Sequence, residues 1–144
     1  MSLKAMRPRA VFFDRDGTLN VEKNYLFRVE DWEWLPGAIE AIQMLNQRGF
    51  QVVVVTNQAG IARGLYSVQD LERLHAWVNE DLSRHGATID AYYFCPHHPD
   101  FGGPCSCRKP EPGLLFRAAQ ERGNVPPNVP ILHSLLELPR LLAG

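Results

Sequence analysis

Apolar positions in this chain fall into short unbroken runs, separated by longer segments in which they recur every three or four residues. Ala10–Phe13 is one such run, and Gln51–Val55 holds four consecutive valines. Runs of β-branched and aromatic residues without polar alternation describe strands covered on both faces, the condition of a parallel sheet. Ile89–Phe94 reads as a third strand and Val129–Leu132 as a short fourth. Between the runs the period lengthens to that of a helix. Pro36-Gly37 opens a helix to about Arg48, with Ile39, Ile42 and Leu45 as its apolar stripe and Gly49 as its stop. Ser67, followed three residues later by Asp70, is a variant capping box. The helix it starts runs to about His85, burying Leu71, Leu74, Val78 and Leu82, and stops at Gly86. His75 and His85 are expected on its solvated side, and Trp77 in the core or an interface. A third helix is predicted over Pro112–Arg122, with Leu115, Ala118 and Ala119 inward. Pro126, Pro127 and Pro130 make a stiff linker, and Leu135–Leu142 is a leucine-rich end broken by Pro139. The alternation of strand and helix predicts an α/β class: a Rossmann-like parallel sheet with flanking helices. Val21–Leu35 has no clean period and reads as a loop over the mouth of a site.

Composition narrows this. A chain of 144 residues suits one domain with a real core, read here as residues 1–144. The net charge of -1 argues against a general nucleic-acid binder. No apolar run approaches the ~20 residues of a membrane span, and no secretory signal is visible, so a cytoplasmic protein is expected. The three cysteines all lie within Cys95–Cys107. In a reducing compartment that clustering favours metal ligation over disulfides.

The chemistry concentrates in Val11–Asn20. Three apolar residues run into Asp14 and Asp16, and Gly17-Thr18 then turns the chain. A buried strand thus delivers two carboxylates to its C-terminal end, where open α/β sheets bind ligands. A carboxylate is ionised at neutral pH and can form an aspartyl-phosphate. A dianionic phosphate repels it, so a divalent cation and a lysine are needed nearby. The valine strand ends in Thr56-Asn57-Gln58-Ala59-Gly60, a second candidate rim. Arg63, just beyond, reads as a surface or structural residue. Cys95, His97, Cys105 and Cys107 form a Cys-x-His…Cys-x-Cys set suited to a closed tetrahedral structural zinc site, with His98 as the alternative to His97. Arg108 and Lys109 follow directly. A lysine can neutralise a transferring phosphate, and an arginine offers a planar fork for a second phosphate or a sugar hydroxyl. Zinc would fix the loop that aims both.

The Asp-x-Asp-Gly-Thr stretch resembles the signature of the haloacid-dehalogenase-like phosphatases. Together, Phe-Asp-Arg-Asp-Gly-Thr-Leu-Asn, Thr-Asn-Gln-Ala-Gly-Ile-Ala-Arg-Gly, Cys-Pro-His-His-Pro and Cys-x-Cys-Arg-Lys-Pro-x-Pro-Gly resemble the D-glycero-D-manno-heptose 1,7-bisphosphate phosphatases and the related histidinol-phosphate phosphatases. The resemblance spans about Ala10 to Arg122. It implies Asp14 as nucleophile, Asp16 as proton donor and acceptor, and Thr56 and Lys109 as phosphoryl stabilisers. It implies substrate contacts from Arg15, Glu22, Lys23, Asn24, Tyr25, Asn57, Gln58, Ala59 and Arg108. Mg²⁺ would be held by Asp14 and the backbone carbonyl of Asp16, and Zn²⁺ by Cys95, His97, Cys105 and Cys107. The insert after the first motif is too short for a cap domain. The implied partner is a small sugar phosphate; no nucleic-acid or membrane partner is expected, and a monomer is favoured with the oligomeric state left open.

The C-terminal part departs from this pattern. The family's fourth motif follows a strand as Gly-Asp and completes the magnesium site, whereas Ile131-Leu132-His133-Ser134 stands here and no aspartate follows Asp100. The family also continues for another strand and helix. A truncated or altered member is therefore expected. The expected reaction is removal of the C7 phosphate of the heptose bisphosphate. Histidinol phosphate is the in-class alternative, with Arg63 or Lys23 as further cations for a second phosphate. A non-catalytic, zinc-stabilised sugar-phosphate-binding module is the alternative of another kind.

Overall fold

The structure is a computed structural model that describes residues 9–97, 117, 121 and 131–132. Among the described residues, four strands make one parallel sheet: β1 (Arg9–Phe13), β2 (Phe50–Asn57), β3 (Ala91–Cys95) and β4 (Ile131–Leu132), in the order β3-β2-β1-β4. β1 pairs with β2 from Arg9↔Phe50 to Phe13↔Val54, and with β4 at Phe12↔Ile131 and Phe13↔Leu132. β3 pairs with β2 from Val53↔Ala91 to Asn57↔Cys95. The chain steps outward from β1 to β3 and then returns to the other side of β1. That reversal creates a switch point beside the C-terminal end of β1, where sheets of this kind open a crevice.

The valine run of β2 behaves as its sequence demands: Val52, Val53, Val54 and Val55 are all 0 % exposed. Val52 and Val54, with Val11 and Phe13 of β1, pack against α1 (Ala38–Gln47) and α2 (Val68–Ser83). The opposite face is covered too. Tyr93 on that face lies under the Arg117 guanidinium, 5.5 Å from the ring centroid. Burying each valine stabilises the fold by roughly 1.5–3 kcal/mol, so the sheet is fixed from both sides.

The helices start and stop where their signals stand. Gly37 and Gly49 bracket α1 with φ of 86° and 81°, conformations that favour glycine. Its buried stripe is Ala38, Ala41, Ile42 and Leu45, while Ile39 is only partly buried. Ser67 caps α2 through a reciprocal box: its Oγ accepts from the Asp70 N–H at 3.1 Å, and Asp70 Oδ2 accepts from the Ser67 N–H at 3.0 Å. Leu71, Leu74, Val78 and Leu82 are buried as expected, and Trp77 is packed against the core. His85 is exposed. His75 is not on a solvated side: it is buried at 5 % exposure.

β2 extends past its valines, because β3 pairs with Thr56 and Asn57 as well. Residues 21–35 form an excursion fastened at its own base. The Val21 N–H donates to Glu33 O at 2.8 Å, and the Leu35 N–H donates to Leu19 O at 2.9 Å. Leu26 and Trp32 are buried beneath it, and a single 3-10 turn spans Val29–Asp31. Arg117 and Glu121 are helical and paired at 3.5 Å. The remainder of the predicted third helix, the proline linker and the leucine-rich end lie outside the described residues. Among the described residues, no helix is long and apolar enough to cross a membrane.

Candidate active site

β1 ends at Phe13 and hands residues 14–20 to the switch point. Gly17, at φ 82°, lets the chain reverse. The Arg15 carbonyl then accepts the N–H groups of Thr18 at 3.1 Å and Leu19 at 2.9 Å, and the Gly17 N–H donates to Asn20 O at 2.8 Å. This tight loop sets Asp14 and Asp16 at the crevice. Asp14 is partly buried, with Oδ1 shut off from solvent. The Asp16 side chain keeps 20 % exposure and is held at both oxygens. Oδ1 accepts from Arg15 Nη2 at 2.8 Å, Arg15 Nε at 3.3 Å and Asn20 Nδ2 at 3.0 Å. Oδ2 accepts from Gln58 Nε2 at 3.3 Å.

The exit of β2 forms the neighbouring wall. Gln58 Nε2 also donates to Thr56 Oγ1 at 3.0 Å, so one amide joins Asp16 to Thr56. Gln58 Oε1 accepts from the Tyr66 hydroxyl. Burial pushes the Tyr66 hydroxyl up to about 12, with Arg15 opposing and Asp16 adding, so the phenol stays a donor throughout the working pH range. The Tyr66 ring stacks on Phe27 at 5.1 Å. A Cβ at Gly60 would overlap the edge of that ring. The Gln58 N–H donates to Cys95 O at 2.8 Å, which ties the exits of β2 and β3.

Two of the expected substrate contacts have buried side chains bonded within the protein. Arg15 is 1 % exposed, and its guanidinium is committed to protein acceptors: Asp16 Oδ1, Leu26 O at 3.2 Å and His75 Nε2 at 3.1 Å. It also lies 5.8 Å over the Trp32 ring. A fork so occupied holds the acid beside it. Gln58, 3 % exposed, is likewise a strut between Asp16, Thr56 and Tyr66. Sequence reasoning missed His75 and Tyr66. His75 falls in the 71, 74, 75, 78, 82 stripe of α2, and that spacing was the available signal.

Glu22, Lys23 and Asn24 are exposed at the lip of the excursion, with Tyr25 half-buried behind them. Asn24 and Tyr25 both adopt left-handed backbone, at φ 54° and 68°. Such conformations cost of order 1–3 kcal/mol each for non-glycine residues and persist where surroundings enforce them. Here the Asn24 N–H donates to Glu22 Oε1 at 2.6 Å, and Arg63 Nη1 donates to the Tyr25 hydroxyl at 2.9 Å while lying 5.3 Å over its ring. Lys23 is paired with Glu33 at 3.1 Å. Asn57 and Ala59 sit at the β2 exit, both half-buried.

Of the expected zinc ligands, Cys95 and His97 are described; Cys105 and Cys107 lie outside the described residues, as do His98, Arg108 and Lys109. Cys95 Sγ is 3.6 Å from His97 Nδ1. Among the described residues, no group of three or more side chains is placed to hold a metal.

Known proteins match this arrangement. The family described as polynucleotide kinase 3 phosphatase matches residues 9–129. The D-glycero-beta-D-manno-heptose-1,7-bisphosphate 7-phosphatase of Pasteurella multocida (strain Pm70) is 42% identical over 124 residues, covering 83% of this chain and 67% of the relative. The protein of the same name from Escherichia coli (strain K12) is 43% identical over 114 residues, covering 76% of this chain and 60% of the relative. This chain thus spans roughly three fifths to two thirds of their length. Among solved structures, the D,D-heptose 1.7-bisphosphate phosphatase of B. bronchiseptica, complexed with magnesium and phosphate, superimposes with a TM-score of 0.78 at 36% identity, over 85% of this chain and 68% of that one. The D,D-heptose 1,7-bisphosphate phosphatase of Burkholderia thailandensis gives 0.61 at 32% identity, over 94% and 72%. With the sheet, the paired aspartates and these relatives in agreement, the chain belongs to the polynucleotide kinase 3 phosphatase family, among the heptose bisphosphate phosphatases of the haloacid-dehalogenase-like fold.

Proposed function

We propose that this chain is an uncapped phosphatase domain that removes the C7 phosphate of D-glycero-D-manno-heptose 1,7-bisphosphate through an aspartyl-phosphate. The reading rests on Asp14 and Asp16 standing together at the switch point beside Thr56, in a fold shared with enzymes of that name. Asp14 attacks phosphorus while the bond from phosphorus to the C7 oxygen breaks. Asp16 gives its proton to the departing oxygen and later takes one from the water that cleaves the acyl phosphate. Oδ1 of Asp16 is committed to Arg15 and Asn20, so the proton is carried at Oδ2, beside the Gln58 amide. The Thr56 hydroxyl and the N–H groups at the β2 exit hold phosphoryl oxygens. Lys109 supplies a cation to the phosphate, Arg108 a fork to the substrate, and Glu22–Tyr25 with Asn57 and Ala59 the walls.

The donor set fits magnesium in kind, since the Asp14 carboxylate and the Asp16 carbonyl are hard oxygens. When bound, the ion would offset the repulsion between carboxylate and phosphate. At the strand exit where the resemblance expects the fourth-motif aspartate, this chain carries His133-Ser134. Weak magnesium binding and slow turnover are therefore expected. Zinc is supported by the Cys95–His97 spacing: ligands about 2.3 and 2.0 Å from one tetrahedral ion stand about 3.5 Å apart, close to the 3.6 Å observed.

Phosphate release from heptose bisphosphate and from histidinol phosphate, with magnesium, tests the proposal. Expected is release from the bisphosphate that is abolished in Asp14→Asn. Equal silence of both proteins, with zinc bound, would favour the rival reading of a sugar-phosphate-binding module, which the missing aspartate supports. Preference for histidinol phosphate would replace the substrate and keep the chemistry.

A further inference from the structure

We propose that His75 is a positioning residue for the proton-transfer acid: its ring holds the far end of the Arg15 guanidinium, so that the near end grips Asp16. The inference deepens the phosphatase reading above and rests on it for its catalytic consequence.

Arg15 is a buried cation with five N–H donors. Nε and Nη2 go to Asp16 Oδ1 and Leu26 O, on one side of the fork. Nη1, on the other side, reaches His75 Nε2 at 3.1 Å. A guanidinium can only donate, so Nε2 must be the accepting nitrogen and the ring proton must sit on Nδ1. Burial, reinforced by the Arg15 charge, lowers the His75 pKa to about 3, which keeps that lone pair available. The ring cannot turn away. It stacks on Tyr92 at 4.1 Å between centroids and 11° between planes. The Tyr92 hydroxyl donates to Asn79 Oδ1 at 3.2 Å. Asn79 in turn brackets the backbone of Ile89, accepting its N–H at 3.1 Å and donating to its carbonyl at 3.0 Å. A continuous set of contacts therefore runs from the α2–β3 junction through Tyr92, His75 and Arg15 to Asp16.

If only the near side of the fork were held, the guanidinium could swing about its own chain and carry Asp16 with it. A displacement near 1 Å at a reacting group costs on the order of 100-fold in rate. Phenylalanine at this position would keep the ring stack and remove the acceptor. Glutamine would keep an acceptor of similar reach and remove the aromatic ring. The two variants therefore separate positioning from packing.

Expected is a fall in kcat of about 10- to 100-fold in His75→Phe with KM within about 2-fold, and rescue to within about 5-fold of the parent in His75→Gln. The reverse order, with His75→Phe active and His75→Gln impaired, would mean that the ring serves packing alone and would overturn the proposal. A second readout needs neither activity nor a variant that folds. Nitrogen-15 NMR of the parent chain should show His75 protonated at Nδ1 with Nε2 bare, and Arg15 Nη signals slowed by the contact. A His75 ring protonated at Nε2 would sink the proposal even in an active enzyme. An inactive parent with the expected NMR pattern would instead refute the phosphatase reading and leave the contact standing.

Discussion

Replacing Gly60 by alanine should destabilise this protein, against the usual direction of that change. Gly60 is not in the left-handed backbone region. At such a position, glycine-to-alanine ordinarily stabilises by about 0.4–1 kcal/mol, because the unfolded chain loses freedom. Here the new methyl would occupy the edge of the Tyr66 ring. That ring cannot yield cheaply: it is 6 % exposed, stacked on Phe27, and its hydroxyl is bonded to Gln58. Pushing it aside strands Gln58 Oε1 in the interior, at about 1–3 kcal/mol. Loosening the stack adds about 0.5–1.5 kcal/mol. After the unfolded-state gain, a net loss of about 0.5–4 kcal/mol remains. Urea unfolding followed by tryptophan fluorescence measures it. The same substitution in a Tyr66→Leu background should be neutral or mildly stabilising, giving a coupling of about 1.5–4.5 kcal/mol. An equal penalty in both backgrounds would show that the ring is not the obstacle, and the proposed strut from Tyr66 through Gln58 would lose its basis.

Two other outcomes follow from the hydrogen bonds. His75 should make the fold acid-labile: its pKa falls from 6.5 unfolded to about 3 folded. Between those values the unfolded chain binds more protons, so stability is full above pH 6.5 and declines as pH falls through the window. Urea midpoints at pH 7 and pH 5 should differ less in His75→Gln than in the parent; identical differences would count against a buried neutral ring. At the start of α2, Ser67→Ala should cost about 1 kcal/mol at neutral pH by the same assay. Bonds from Ser67 hold the Asp70 pKa below 3.8, so the Asp70 contribution to the box is present above that value and fades as pH falls through the lowered one. A Ser67→Ala penalty near zero at pH 7 would contradict the reciprocal cap.

What the sequence disclosed depended on how local the cause was. The valines of β2 could be read because any strand of that composition must be covered twice. The α2 cap could be read because Ser67 and Asp70 act within one turn. Asp14 and Asp16 could be read because a strand end and a turn at Gly17 place them without help from elsewhere. The surroundings of Arg15 could not be read, for the opposite reason: the histidine beside its guanidinium lies 60 residues away in sequence. Gln58 became a strut only through Tyr66, itself placed by the room that Gly60 leaves. The helix at Arg117 and Glu121 and the strand at Ile131–Leu132 agree with the periodicity.

The stapled base of the 21–35 excursion makes it a natural port for inserted sequence. Hydrogen bonds between residues 19–21 and 33–35 carry the geometry of the neck, so what happens beyond it need not be felt by the strand that bears the acids. Extra residues at exposed Glu30, on the far turn, would add only slowly growing entropy, about 0.6 kcal/mol for each doubling of length. A shielding lobe, or a reporter peptide chosen in the laboratory, could be grafted there while the machinery underneath kept its register.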